Sequence, residues 1–368
     1  MDLTCVNADS VDTTVLQGSP TAPAVSPAAL EYLGVDAYLH SVVDAGALRT
    51  AFEMRIIDLL IGSDAVPVLD LLNATGSDPQ GLRFLLDLLS ANEVVETRDG
   101  AASLHPAFTQ ALRFRDLMET KLEYAAFMLS DFGNLFTAMV ANPQRFMRHG
   151  RVFQLFDYGR CFEATPDNLR HTHGWMRLTT ALTRHEAPVC LELHDFSAHR
   201  RMLDVGGNSG EFALQACRRH PQLTATVVDL PVVCDIGLEH VLAAPERQRI
   251  GFHAANLRQA PLPGGHDLVS FKSMLHDWPL DDARAFIDKA VAAVEPGGTV
   301  MIFERGPLEV RSGAPGFAAL PVLMFFRSYR SPGAYVKALQ AAGMVDLRCL
   351  HLQLDTPWFL VTARKPAR

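Results

Sequence analysis

Downstream of Arg201 the chain reads as short β-rich runs separated by helical stretches, and this alternation restricts the fold more than any other feature. The runs fall at 202–205, 225–229, 250–253, 267–271, 299–303, 347–350 and 358–362, with helices expected at 209–219, 232–244, 281–294 and 332–342. Such a chain builds an α/β domain: a doubly wound, Rossmann-like, mostly parallel sheet with helices on its faces. Only residues 353–357 separate the last two strands, so these should pair antiparallel at one edge.

Upstream the pattern is different. Residues 1–28 are rich in Ser, Thr, Ala and Pro and are expected to form a flexible tail. Residues 29–195 read as a mostly helical domain and 196–368 as the α/β domain. Within 68–104 a helix, a turn at Gly76-Ser77-Asp78-Pro79, a leucine-rich helix and a hairpin around Arg98-Asp99-Gly100 give the outline of a winged helix. Its second helix offers only Arg83 and its wing only Arg98, and the whole chain carries a net charge of −8. That balance argues against nucleic acid as a partner and for a fold reused in dimerisation and substrate enclosure. The six cysteines are scattered without a C-x-x-C pair, and His171-x-His173 is at the wrong spacing for one helical face, so no metal site is expected. With no basic leader and no apolar run of membrane-spanning length, the reading is a cytoplasmic protein without a membrane partner.

Four motifs carry chemistry. Leu203-Asp204-Val205-Gly206-Gly207-Asn208-Ser209-Gly210 sits where a strand gives way to a helix, where glycines let backbone approach a ligand. The acid before the glycines is more typical of S-adenosylmethionine (SAM) sites than of dinucleotide sites, although a purely structural turn would look similar. Asp229, at the end of the next strand, is placed to accept ribose hydroxyls; equally, Asp229 before Pro231 could cap a helix. Phe271-Lys272-Ser273-Met274-Leu275-His276-Asp277-Trp278-Pro279 ends the fourth strand, the edge where ligands bind in open α/β sheets. A histidine there can take a proton near neutral pH. Glu304 ends the neighbouring strand and could orient His276, or pair instead with Arg305 or Arg330.

Together these motifs resemble the plant-type O-methyltransferase family and its bacterial natural-product members, over residues 35–365 or so. The resemblance implies a homodimer, a SAM cofactor and a small aromatic hydroxylated substrate. It assigns Asp204, Gly206, Gly207, Gly210, Asp229, Leu230, Asn256, Leu257 and Lys272 to the cofactor, with His276 as general base and Glu304 and Asp277 as its partners. The family usually has a third glycine where Asn208 stands, an aspartate where Asn256 stands, and a second glutamate where Tyr329 stands.

The expected chemistry is O-methylation of a phenolic hydroxyl, with His276 removing its proton and no metal required. Trp175, Met176, Trp278, Met324, Phe325 and Met128 are the expected acceptor-binding residues, because flat apolar walls suit an aromatic ring. Two alternatives stand beside it: a SAM-binding enzyme of the same fold that hydroxylates, decarboxylates or rearranges its substrate, and a winged-helix regulator that senses a small ligand.

Overall fold

The computed structural model describes residues 25–308 and 315–367, so most of the expected tail lies outside the described residues. By compactness the chain divides into two units, Glu31–Gly133 with Val310–Val322, and the remainder. This differs from the expected boundary near 195: residues 134–195 group with the sheet, because the long helix among them packs on helices of the α/β layer.

In the N-terminal unit, helix α1 (Val42–Glu53) starts at a capping box in which Ser41 and Asp44 exchange side-chain-to-backbone bonds of 3.1 Å each way. Helix α2 (Val68–Thr75) stops on Gly76, whose φ of 62° suits a residue without Cβ. Helix α3 (Pro79–Ala91) follows, its first turn fixed by Asp78 accepting from the Gly81 amide at 2.7 Å. Leu82, Leu85, Leu86 and Leu89 recur at helical spacing and are its buried face. Strands β1 (Val66–Pro67), β2 (Val95–Arg98) and β3 (Ala101–Leu104) form a small sheet in the order β1-β3-β2. Asp99 and Gly100, both at positive φ, make the tight turn of its hairpin. Helix α4 (Arg115–Ala141) begins in this unit.

The larger unit contains helix α5 (Pro166–Leu193) and a seven-stranded sheet. Its strands are β4 (Arg201–Val205), β5 (Thr224–Asp229), β6 (Ile250–Ala254), β7 (His266–Lys272), β8 (Val294–Arg305), β9 (Val345–Gln353) and β10 (Pro357–Arg364). The order is β6-β5-β4-β7-β8-β10-β9, parallel from β6 to β8. Strand β10 runs antiparallel to β8 and to β9, as the short 353–357 connection requires. Helices α6 (Glu211–Arg219), α7 (Pro231–Val241), α8 (Leu280–Ala293) and α9 (Pro332–Ala341) cover the faces. Because both faces are covered, the central strands are nearly continuous apolar runs. Leu203, Val205, Phe271, Ile302 and Phe359 from the sheet pack with Phe286 and Ile287 of α8 and Tyr335 and Leu339 of α9. Cys161, Cys190, Cys217, Cys234 and Cys349 are free and buried. Among the described residues no helix is long and apolar enough to cross a membrane.

Parallel pairing sets the carboxyl ends of β4, β5, β7 and β8 side by side. Asp204 lies opposite Ser270 and Lys272 opposite Phe303, next to Glu304.

Candidate functional site

The turn from β4 into α6 is shaped by Gly206 and Gly210, at φ of 67° and 76°. A Cβ on Gly206 would run into the Met274 side chain, so glycine is needed both for conformation and for space. Asn208, which replaces a further glycine, also adopts positive φ, at 55°. Asparagine tolerates that region better than most residues, and its side-chain oxygen accepts from the Ser209 amide at 2.7 Å. The Asn208 amide donates to Asp229 at 2.9 Å, and the Leu230 amide to the other oxygen of Asp229 at 2.7 Å. Leu230, not Asp229, is the residue that precedes α7 as its cap. Burial pushes the Asp229 carboxyl up to about 6, against the two amide bonds. Since a carboxylate can accept about four hydrogen bonds, capacity remains for a ligand.

Asp204 lies beneath the loop. It is buried, accepts from Ser270 Oγ at 2.8 Å, and leaves Oδ2 without a partner among the described residues. Burial raises it to about 7. A Cβ on Gly207 would come within 2.6 Å of that oxygen, so Gly207 lets the loop lie directly on it. Asn256 follows β6, whose Ala254 pairs with Asp229, and its Oδ1 accepts from the Arg258 amide at 3.0 Å. Leu257 is buried in the core, with its carbonyl held by Lys289. Lys272 is committed elsewhere: its Nζ pairs with the buried Glu186 and donates to Thr183 at 3.0 Å.

Between β7 and α8, the turn Leu275–Asp277 carries the reactive groups. Glu304, 1% exposed, accepts from the Met274 and Leu275 amides at 2.8 and 2.7 Å through Oε1, and from His276 Nδ1 at 2.7 Å through Oε2. An ionised carboxylate only accepts, so Nδ1 carries the proton and Nε2 is the basic position. Burial alone would lower the His276 pKa, but the Glu304 and Asp277 charges outweigh it and raise it. Burial would raise Glu304; His276 and the amide bonds hold it low. Asp277 Oδ1 lies 3.4 Å from His276 Nε2, and Oδ2 accepts from the Tyr158 hydroxyl at 2.9 Å. Burial raises the Asp277 pKa, opposed by His276 and Tyr158.

The alternative partners of Glu304 have other bonds. Arg305 pairs with Glu186 at 2.7 Å and Asp355 at 3.4 Å and lies over Trp358. Arg330 clasps the reactive turn, donating to the Leu275 carbonyl at 3.0 Å and to that of Trp278. Tyr329 packs against the His276 ring, centroids 5.2 Å apart, with its phenol pushed up by burial.

Aromatic rings gather beside this turn. Tyr158 stacks on Trp278 (6.3 Å, 28°) and meets Trp175 edge-on at 5.5 Å. Phe156 lies 5.9 Å from Trp175 and 6.0 Å from Phe325. Met176 joins Trp175 in a cluster that Leu230 borders, and the Trp175 indole N–H is buried without a partner among the described residues. Met324 is buried just before Phe325, and Met128 is buried on α4 in the N-terminal unit. Tyr158 and Glu186 are the residues that motif reading missed as members of this site, while Arg330, read as a possible partner of Glu304, instead holds the Leu275 carbonyl. The one available signal was the density of aromatic residues upstream of residue 195.

A family model described as an O-methyltransferase domain matches residues 139–344. Over 158 residues the chain is 37% identical to a 3-hydroxy-5-methyl-1-naphthoate 3-O-methyltransferase of Streptomyces sahachiroi. That match covers 42% of this chain and 46% of the relative, so it spans about half the relative's length. The chain is 28% identical over 288 residues to aclacinomycin 10-hydroxylase RdmB of Streptomyces purpurascens, covering 74% of this chain and 72% of that protein. Among solved structures, mitomycin 7-O-methyltransferase MmcR matches with a TM-score of 0.67 at 20% identity, covering 87% of this chain and 94% of that one. Human N-acetylserotonin methyltransferase in complex with SAM matches at 0.65 and 20%, covering 88% and 94%. At such identities the likeness to the two structures is one of fold.

Proposed function

The chain belongs to the O-methyltransferase family, and from that premise we propose that it methylates a phenolic hydroxyl of a small aromatic secondary metabolite, with SAM as donor. SAM supplies a methyl group already activated by its positive sulfur. Gly206, Gly207, Gly210, Asp229, Leu230, Asn256 and Leu257 would hold it, the glycine turn and the Asp229 carboxylate matching a nucleoside ligand with hydroxyls to donate. His276 Nε2 would take the proton of the acceptor hydroxyl and Glu304 would stabilise the imidazolium, while the bound donor would supply the methyl group, its S–CH3 bond giving way to the new O–CH3 bond and S-adenosylhomocysteine leaving. With the donor activated, most of the rate comes from positioning, worth roughly 7 to 11 kcal/mol, with base help of about 10²- to 10⁴-fold.

The observation that carries this reading is the 2.7 Å bond between His276 Nδ1 and Glu304, which leaves a basic nitrogen at the carboxyl edge of the sheet. Trp175, Trp278 and Phe325 support an aromatic acceptor. The reading includes a homodimer formed through the N-terminal unit, checked by light scattering, and a cytoplasmic location.

The test is incubation with methyl-labelled SAM and a panel of phenols, flavonoids, anthraquinones and heteroaromatic alcohols, with calorimetry for SAM and S-adenosylhomocysteine. Label on an acceptor oxygen is the expected result; absence of affinity for either nucleoside contradicts it. The likeness to a hydroxylase favours one other reading, a reaction of the same fold without methyl transfer. The intact His276–Glu304 pair supports methylation over it, because a base is what a non-methylating member could lose.

A further inference from the structure

The turn that carries His276 is weakly held by its own backbone. It is a three-residue turn, Leu275–Asp277, closed by the Asp277 amide on the Met274 carbonyl at 3.1 Å and the Trp278 amide on the Leu275 carbonyl at 3.4 Å. Bonds in so tight a turn have poor geometry. Just upstream, Ser273 sits at a φ of 50°, a left-handed conformation that a residue with a Cβ keeps only where its surroundings impose it. Bonds from outside the turn therefore decide where it lies. Glu304 supplies them on the amide side, at Met274 and Leu275. On the carbonyl side they come from Arg330, whose Nη1 donates to the Leu275 carbonyl at 3.0 Å and whose Nη2 donates to that of Trp278. One planar guanidinium thus spans the turn from its first residue to the residue after its last.

Arg330 is anchored in its turn. Ser331 caps α9 by accepting from the Gly333 amide at 3.1 Å, and Arg330 Nη1 also reaches the hydroxyl of Tyr335, a fully buried residue of α9, at 3.5 Å. The residue before it, Tyr329, lies against the His276 ring. We propose that Arg330 is a positioning residue for the reaction, fixing the turn from its carbonyl side so that His276 keeps its bond to Glu304 and presents Nε2 in one place; this rests on the methyl-transfer reading above. Its bonds go to two backbone carbonyls and a phenol, so it acts through the turn and leaves the charge at the imidazole to Glu304 and Asp277. Displacement of a reacting group by about 1 Å can cost about 10²-fold in rate, so holding the turn still matters to the chemistry.

The test compares wild type, Arg330→Ala and Arg330→Lys in single-turnover rate with a phenol that the wild type methylates, in affinity for S-adenosylhomocysteine, and in backbone amide exchange. In Arg330→Ala the rate is expected to fall by about tenfold or more while affinity stays within about threefold. Amide exchange at Asp277 and Trp278 should quicken, with that of β7 unchanged. Arg330 is half-buried, so its truncation opens a space to solvent, and millimolar guanidinium should restore part of the rate in Arg330→Ala and none in wild type. Lysine keeps the charge but cannot span two carbonyls, so Arg330→Lys should fall between the other two. If the alanine variant does not fold, the lysine variant decides, and a wild-type rate in it overturns the proposal. A rate in Arg330→Ala within about threefold of wild type, or a loss that guanidinium does not relieve, also overturns it. So does a parallel collapse of cofactor affinity and Tm. If the wild type methylates no acceptor, exchange decides alone: quickening confined to the turn supports the role of Arg330 and counts against the methyl-transfer reading, and unchanged exchange overturns both.

Discussion

Glu304 binds His276 Nδ1 at 2.7 Å and, with its other oxygen, the backbone amides of Met274 and Leu275, so one carboxylate fixes both the imidazole and the turn that carries it. The carboxylate comes from β8 and the imidazole from the end of β7, parallel neighbours in the sheet. Orientation of the imidazole is therefore built into strand pairing.

Replacing Glu304 by Gln keeps the shape but removes the charge that raises the His276 pKa. With His276 as the proposed base, neutral Nε2 would be the active form, and the acid limb of kcat/KM in the wild type should lie above the ordinary histidine value of about 6.5. In Glu304→Gln the limb moves to lower pH and kcat falls by about tenfold or more. A pH–rate profile of both proteins checks this, and an unmoved limb contradicts it.

Asp229 should govern cofactor affinity without touching the chemistry. Its carboxyl is pushed up to about 6, so affinity for S-adenosylhomocysteine should be steady above that pH and decline as pH falls through it. Asp229→Asn is expected to lose about tenfold or more in affinity by calorimetry, since hydrogen bonds to a charged acceptor are among the stronger ones.

Gly206 has no room for a side chain. Gly206→Ala combines an unfavourable φ, costing roughly 1 to 2 kcal/mol, with a collision against Met274, which precedes the reactive turn. A lower Tm and weaker cofactor binding are expected, measured by thermal unfolding with and without S-adenosylhomocysteine.

An acid-sensitive contact lies away from the site. His194 and His199 place their Nε2 atoms 2.9 Å apart, a bond that requires at least one neutral ring. Burial lowers both pKa values, that of His194 to about 4. Folded values below the unfolded value of about 6.5 mean that this stability is complete above pH 6.5 and is lost as pH falls toward 4. Tm should drop over that window, and His194→Gln should flatten the dependence.

The glycine turn, Asp229 and the His276–Glu304 pair were legible in the sequence because each ends a strand and parallel strands bring their ends together. Local rules of this kind do not reach Tyr158, nor the contact of Arg330 with the Leu275 carbonyl. Both residues come to the reactive turn from segments remote in the chain, and nothing in their spacing marks them. Lys272 shows the converse: its place next to the reactive loop was evident, but its pairing with Glu186 depends on α5 packing against the sheet unit. Asn208 departs from the family glycine yet keeps the positive φ that the turn needs.

The most direct measurement is the single-turnover rate of methyl transfer in His276→Ala, read beside SAM affinity. A loss of about 10²-fold or more with affinity unchanged is the expected result. A loss of less than about tenfold would contradict the role of His276 as the base and leave it only a part in positioning.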